Sequence, residues 1–341
     1  MPFQIVHNDI TKMHTDAIVN AANSRLQAGG GVCGAIFAAA GDRRLQEECN
    51  RKSPCPTGSA VITGGYGLFA KYIVHAVGPI WQSGSQGEET LLRSAYLTSL
   101  KLAAEKGCRS ISFPLISAGI YGYPKEQALQ VAVSVFSQFL MEQDDGEEMD
   151  IYLVVFDRSA VSLSEKLFQE IRHYIDTFHD EEETERRKRF EYEICCTGAP
   201  RASVPWVGAS APDVLRERSL EELVNNLEET FSEMVLRLVD EKGYKDSEVY
   251  KRANLDRKLF SKIRSNPDYH PKKETVLALA VGLQLSVDET LDLLQRAGYT
   301  LSNSSKTDVI VRFFLEKGEH DIFLINEALF CFGEAVLGSA T

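Results

Sequence analysis

The sequence predicts two units of different class: a three-layer α/β/α unit over residues 1–178 and an all-helical unit over residues 219–341. Three observations predict this. Strand-like runs and amphipathic helical runs alternate as far as residue 175, the pattern of helices packed on both faces of a sheet. Residues 195–218 then collect Pro200, Pro205 and Pro212 among Gly, Ala and Ser, a linker composition. From Ser219 onward no strand signal of comparable strength returns.

In chain order, the strand candidates are FQIVHND (3–9), DAIVNAA (16–22), SAVITGG (59–65), YIVHAVG (72–78), SISFPLI (110–116) and DIYLVVF (150–156). The helical candidates between them are CGAIFAAAGDRRLQEEC (33–49), EETLLRSAYLTSLKLAAEKG (88–107), KEQALQVAVSVFSQFL (125–140) and SLSEKLFQEIRHYI (162–175). Each of these carries apolar residues at helical spacing. DEEETERRKR (180–189) places Glu182–Arg186, Glu183–Arg187 and Glu185–Arg189 as i,i+4 pairs, which predicts a solvated helix extension. Residues 179–218 therefore join the two units as a charged extension and a linker. Ser219 and Glu222 form a capping box before the stripe Leu220, Leu223, Val224, Leu227, Phe231, Val235 and Leu238. Shorter helices are expected near 247–253, 256–264, 273–281, 287–297, 305–317 and 321–332.

With 44% hydrophobic and 25% charged residues in 341, the composition is that of a globular protein. No apolar run approaches the ~20 residues of a membrane span. MPFQIVHNDI lacks the basic region and apolar core of a secretion signal, so a cytoplasmic protein with no membrane partner is expected. The seven cysteines show no C-x-x-C spacing and the histidines no His-x-x-x-His pairing, so no metal and no cofactor is expected. A net charge of −12 argues against indiscriminate nucleic-acid binding and leaves room only for a local basic patch.

Two glycine loops carry the chemistry. In NAANSRLQAGGGVCGAIFAAAG (20–41), Gly29, Gly30 and Gly31 stand between a strand and a helix. Such a loop presents backbone N–H groups and the positive end of a helix dipole, and glycine lets a phosphate approach closely. The run lacks the Lys-Ser/Thr of a P-loop and the G-x-G-x-x-G of a dinucleotide fold, so by itself it fits a tight turn as well as an anion loop. SFPLISAGIYGYP (112–124) is a second loop of the same kind, with Gly119 and Gly122 bracketing Ile120 and Tyr121. Two loops at the carboxyl ends of strands can grip a diphosphate from both sides.

NDITKMHTDAIVNAANSRLQAGGGVCGAIFAAAG, PTGSAVITGGYGLFAKYIVHAVGP and ISFPLISAGIYGYP, in that order, resemble the macro domain family in its MacroD-like branch over roughly residues 1–175. The resemblance implies a mixed central sheet between helices and a cleft for ADP-ribose or an ADP-ribosylated protein. It makes Asp9 the acceptor for the adenine amino group, with Ile10 beside it; a carboxylate can take that hydrogen bond. Asn23, closing VNAAN, would contact the distal ribose, with Ala22 before it among the ligand-binding residues. Gly30, Gly31, Val32 and Cys33 would face the diphosphate from one side, and Ser117, Ala118, Gly119 and Ile120 from the other. Tyr121 would lie over the distal ribose and Phe156 would stack on adenine. His75, inside a strand, reads as structural.

Catalysis in this branch is assigned by the resemblance to Asn23, Cys33 and Tyr121, and Cys33 is a departure. The family carries Asp there, as GVDG, to orient or deprotonate water. A thiol titrates near ~8.5 and accepts hydrogen bonds poorly, so it is a weak general base. Removing a general base costs about 10²–10⁴-fold rather than all activity. Ala28, where the branch often has a further glycine, is the other departure. The expected activity is hydrolysis of mono-ADP-ribosyl or O-acetyl-ADP-ribose linkages, with a non-catalytic ADP-ribose sensor as the alternative.

SEVYKRANLDRKLFSKIRSNPDYHPKKETVLALAVGLQLSVDETLDLLQRAGY (247–299) resembles a Cro/repressor-like helix-turn-helix. The resemblance makes DRKLFSKIRSN (256–266) the recognition helix and Arg257, Lys258, Ser261, Lys262 and Arg264 its DNA-facing residues. Residues 245–275 hold nine Lys/Arg against five Asp/Glu, a basic island in an acidic chain. A protein-binding module of the same helical shape is the alternative.

Overall fold

The computed structural model describes residues 3–143, 149–156, 166–177 and 229–338. Six strands form one sheet: β1 Phe3–His7, β2 Ala17–Ala21, β3 Ala60–Gly64, β4 Tyr72–Ala76, β5 Ser110–Phe113 and β6 Asp150–Val155, in the order β1-β6-β5-β2-β4-β3. All pairs are parallel except β3 on β4, so the sheet is mixed as expected. Alternation sorts the side chains. Ala17 and Val19 of β2 join the core under α3 Glu88–Glu105 and α4 Lys125–Glu142. Ile18 faces the opposite layer, α1 Gly31–Ala40 and α2 Asp42–Lys52, with Ile36, Phe37, Leu45 and Cys49. A sheet buried on both faces this way reads as near-continuous apolar runs.

One helix expected over 33–49 is two. Gly41 takes φ 85°, which glycine adopts freely, and the chain turns there between α1 and α2. Elsewhere the expected runs hold to within a few residues. A helix at 166–177, here α5, follows β6, while residues 162–165 lie outside the described residues.

The C-terminal helices are α6 Phe231–Lys242, α7 Asp246–Arg252, α8 Arg257–Ser265, α9 Lys273–Gly282, α10 Val287–Arg296, α11 Lys306–Glu316 and α12 Ile322–Cys331. The capping box at the start of α6 is Thr230 with Glu233; the expected Ser219–Glu222 box, the charged run 180–189 and the linker 195–218 fall outside the described residues.

These helices continue the core of the sheet unit rather than forming one of their own: a single apolar cluster runs from Val19 and Phe136 through Phe3 to Phe314 and Leu329. Phe3 touches Phe136 at 5.6 Å and Phe323 at 5.4 Å between ring centroids. Beside it, buried Asn254 in the turn between α7 and α8 accepts from Phe3 N–H (3.1 Å) and donates to Phe3 C=O (2.9 Å). One asparagine thus covers part of an edge strand that would otherwise offer free backbone groups. Lys251 Nζ donates to the carbonyl of Gln143 (2.5 Å), where a cation suits the helix C-terminus. α5 joins this assembly as well, stacking Phe168 on Phe332 and setting Tyr174 edge-on to Phe313.

Candidate functional site

The carboxyl ends of β1, β2, β5 and β6 open into a cleft of about 730 Å³. Its first wall is the loop after β2. Asn23 shapes that loop: its Oδ1 accepts from the N–H of Arg25 (3.1 Å) and Gln27 (3.2 Å), and its Nδ2 donates to Gln27 C=O (2.8 Å). Gln46 of α2 fixes the next turn, donating to Leu26 C=O and accepting from Ala28 N–H. The glycines then deliver the chain to α1. Gly31 has φ 62°, and Gly30, the N-cap, brings no capping side chain. The first N–H groups of α1 are thereby left for another acceptor, in the geometry that binds anions. Gly34 is required one turn on, since a Cβ there would lie 2.5 Å from Gly29 O.

The second wall is the loop after β5. Gly122 N–H bonds Gly119 C=O, Tyr123 N–H bonds Ser117 C=O, and Tyr121 C=O takes the N–H of Trp81. Ser117 sits at φ 65°, uncommon for a residue with a side chain. Its buried hydroxyl has no hydrogen-bond partner among the described residues. Gly78 is what allows it there, as a Cβ would fall 2.2 Å from Ser117 Oγ. Ile120, 83% exposed, reaches across to Gly30.

The far end of the cleft is built by β1 and β6. Asp9 caps the 3-10 turn Ile10–Lys12, accepting from Thr11 Oγ1 (2.7 Å) and Thr11 N–H (3.0 Å) through Oδ1 alone. Those bonds hold its carboxyl below the usual carboxylate range and keep it ionised. Phe156, 82% exposed, stands at the end of β6 on the same rim.

Thirteen of the fourteen residues expected at the ligand line this one cleft: Asp9, Ile10, Ala22, Asn23, Gly30, Gly31, Val32, Cys33, Ser117, Gly119, Ile120, Tyr121 and Phe156. Ala118 does not; its methyl packs against the core beneath the loop. Gly29 of the same loop, with Asn8, Ala21, Ala35, Gly78, the run Pro114–Ile116, Val154 and Val155, completes the wall; apart from Gly29 these carried no expected contact. The apolar FPLI run leading into SAG is the signal that points to Pro114–Ile116.

Cys33 is 5% exposed and looks inward from α1. Its Sγ accepts from Asn20 Nδ2 (3.6 Å) and points its proton at Gln27 C=O (3.8 Å). Asn20 also meets Nδ1 of buried His75 (3.0 Å), whose Nε2 meets Thr63 Oγ1 (2.9 Å). The roles are consistent if the amide donates to Nδ1 and Nε2–H donates to Thr63, which in turn bonds Gly64 C=O. Burial pushes His75 down to about 4, so the ring is neutral, and its role is to tie β2 to β3 and β4. Burial also pushes the Tyr121 phenol up.

Arg257, Lys258, Ser261, Lys262 and Arg264 are all exposed on α8, with Phe260 and Ile263 buried beneath them. Arg264 is engaged by Asp246 at the start of α7 (2.5 Å). Among the described residues no group of three or more acidic, His or Cys side chains could hold a metal, and no helix is long and apolar enough to cross a membrane.

Residues 19–132 match the family model described as "Macro domain". A macro domain-containing protein of Methanosarcina mazei is 48% identical over 168 residues, covering 49% of this chain and 88% of its own. A protein of Citrobacter rodentium named O-acetyl-ADP-ribose deacetylase is 46% identical over 167 residues, 48% of this chain and 93% of its own. Of solved structures, an Oceanobacillus iheyensis macrodomain with ADP is 41% identical, covers 46% of this chain and 85% of its own, and has a TM-score of 0.44. Each match leaves more than half of this chain uncovered.

Proposed function

The chain belongs to the macro domain family, and we propose that its sheet unit binds ADP-ribose and hydrolyses mono-ADP-ribosyl or O-acetyl-ADP-ribose linkages. The observation that carries this is the pairing of two glycine loops at the ends of parallel strands. One offers the uncapped N-terminus of α1 and the other a buried Ser117 hydroxyl with no partner among the described residues. An anionic diphosphate answers both, and a relative named O-acetyl-ADP-ribose deacetylase supports the same reading. Asp9, ionised and with Oδ2 unused among the described residues, accepts from the adenine amino group, while exposed Phe156 supplies a stacking face. Asn23 and Tyr121 hold the distal ribose against the loops, which fixes the reacting carbon relative to water.

The chemical step on this chain runs without a carboxylate at position 33. Water attacks the distal ribose carbon as its bond to the modified side chain breaks, or the ester carbonyl as its C–O bond to ribose breaks; a substrate oxygen relays water's proton to the departing group, since Cys33 Sγ is turned toward Gln27 C=O. Turnover is accordingly slow relative to a family member with Asp there. Calorimetry with ADP-ribose, followed by release of ADP-ribose from a mono-ADP-ribosylated protein, tests both halves. Binding without turnover selects the non-catalytic sensor, which the turn of Cys33 Sγ toward Gln27 C=O favours as second reading.

For the helical unit, the exposed basic face of α8 supports binding to DNA, and a protein partner is the rival. Such binding weakens as salt rises, and Lys258→Glu with Lys262→Glu abolishes it. If selection with the full chain enriches no duplex site, the protein-partner reading takes its place.

A further inference from the structure

A second cleft lies where the two units meet, between α4 and α12. Gln130, Ser134, Ser137 and Gln138 line it from the sheet unit, and Glu327 and Phe323 from the helical unit; its volume is about 450 Å³. Glu327 is 6% exposed, and its carboxyl has no hydrogen-bond partner among the described residues. That is unusual for this molecule. Glu88, equally hidden, accepts backbone N–H bonds from Ser83, Gly84 and Gln86, and although burial opposes them they hold its carboxyl down at about 2. Glu327 has no such donors. Burial, with Glu126 and Asp321 adding their charge, pushes it up to about 8.

A carboxyl that lines a cleft and takes no donor from the protein leaves its hydrogen-bonding capacity to whatever ligand enters the cleft. The cleft describes that ligand. Asp321 lines the cleft beside Glu327, and Arg93, which donates to the lining Ser134 Oγ, is itself paired with Glu89. Val133, Phe323 and Leu324 offer an apolar run beside the acid, and two hydroxyls and two amides stand opposite. We propose that this cleft binds an organic cation, a guanidinium or ammonium head on an alkyl stem, with Glu327 as its counter-ion. The head ionises Glu327 and the stem lies on Val133 and Phe323, so the ligand bridges the two units. A small free amine and an arginine or lysine side chain of a polypeptide share this chemistry.

Titrating the full chain with agmatine, and separately with an acetylated arginine peptide amide, tests the proposal and distinguishes the sources. At neutral pH, saturable binding of one or both is expected, with a heat that changes with the buffer because Glu327 releases its proton on binding. Glu327→Gln, which keeps the shape, should lower affinity at least tenfold and remove the buffer dependence; Val133→Trp should block the cleft. ADP-ribose binding at the other cleft serves as the control for folding. If neither probe saturates, or Glu327→Gln binds as tightly as wild type with the same buffer dependence, the proposal is wrong.

Discussion

The strand ends and the strand edge treat buried polar groups in opposite ways. At the edge, where the helical unit meets β1, Asn254 spends both amide atoms on Phe3, and Asn326 likewise brackets Leu337 through its N–H and C=O. Asp308 is bonded by Ser302 N–H and Lys273. At the strand ends, by contrast, Ser117 Oγ is buried without a partner among the described residues and the N-terminus of α1 has no side-chain cap. Satisfied polar burial fixes one arrangement of the chain; unsatisfied polar burial costs stability and is retained where a ligand completes it. The difference marks Ser117 and the N-terminus of α1 as groups that a ligand can complete.

Cys33 straddles that division, and the largest expected effect comes from moving it. Cys33→Asp puts a carboxylate beside the cleft and should raise turnover of mono-ADP-ribosylated protein by roughly 10²–10⁴. ADP-ribose affinity should not improve, because the new charge repels the diphosphate. A fast wild type that Cys33→Asp slows and thiol alkylation inactivates would make Cys33 a participant in the reaction. On the architectural side, Asn254→Ala strands both backbone groups of Phe3 and should cost about 2–5 kcal/mol in urea unfolding. A loss within error would mean that the edge is held by Phe3 packing alone.

The sheet and its cleft are legible in the sequence for a simple reason. A doubly buried strand leaves a short apolar run, and a phosphate loop leaves glycines, so FQIVHND, SAVITGG and AGGG carry their own signal. The break at Gly41 was missed because the helical period continues across it, and only a positive φ turns the chain. Ala118 shows a related limit: its side chain packs against the core, and sequence does not say which way backbone and side chain of one loop residue face. The joint between the units was invisible. Nothing around Asn254 distinguishes a turn in solvent from one clamped onto an edge strand, and the partner, Phe3, is far away in the chain.

The two units should also differ in their response to pH. His75 falls from an ordinary 6.5 to about 4 because of burial, Lys52 adding and Glu48 opposing. The unfolded chain takes up that proton first, so stability is full above 6.5 and is lost as pH drops toward 4. Glu327 behaves inversely. Raised from 4.5 to about 8, it keeps a proton that the unfolded chain releases, so its stability is full below 4.5 and lost as pH rises toward 8. His75→Gln should flatten the acid limb of thermal unfolding by about 3 kcal/mol and Glu327→Gln the alkaline limb by about 5 kcal/mol. Limbs unchanged by these substitutions would assign the pH dependence to other groups.

Calorimetry of ADP-ribose against AMP, on wild type and on Asp9→Ala, most directly tests the claim that both glycine loops serve one ligand. ADP-ribose should bind tightly and AMP poorly, because AMP leaves the distal-ribose wall of Asn23 and Tyr121 empty. Asp9→Ala should weaken ADP-ribose by about 1–3 kcal/mol, the cost of one charged hydrogen bond. Equal affinities for AMP and ADP-ribose would contradict the two-loop account.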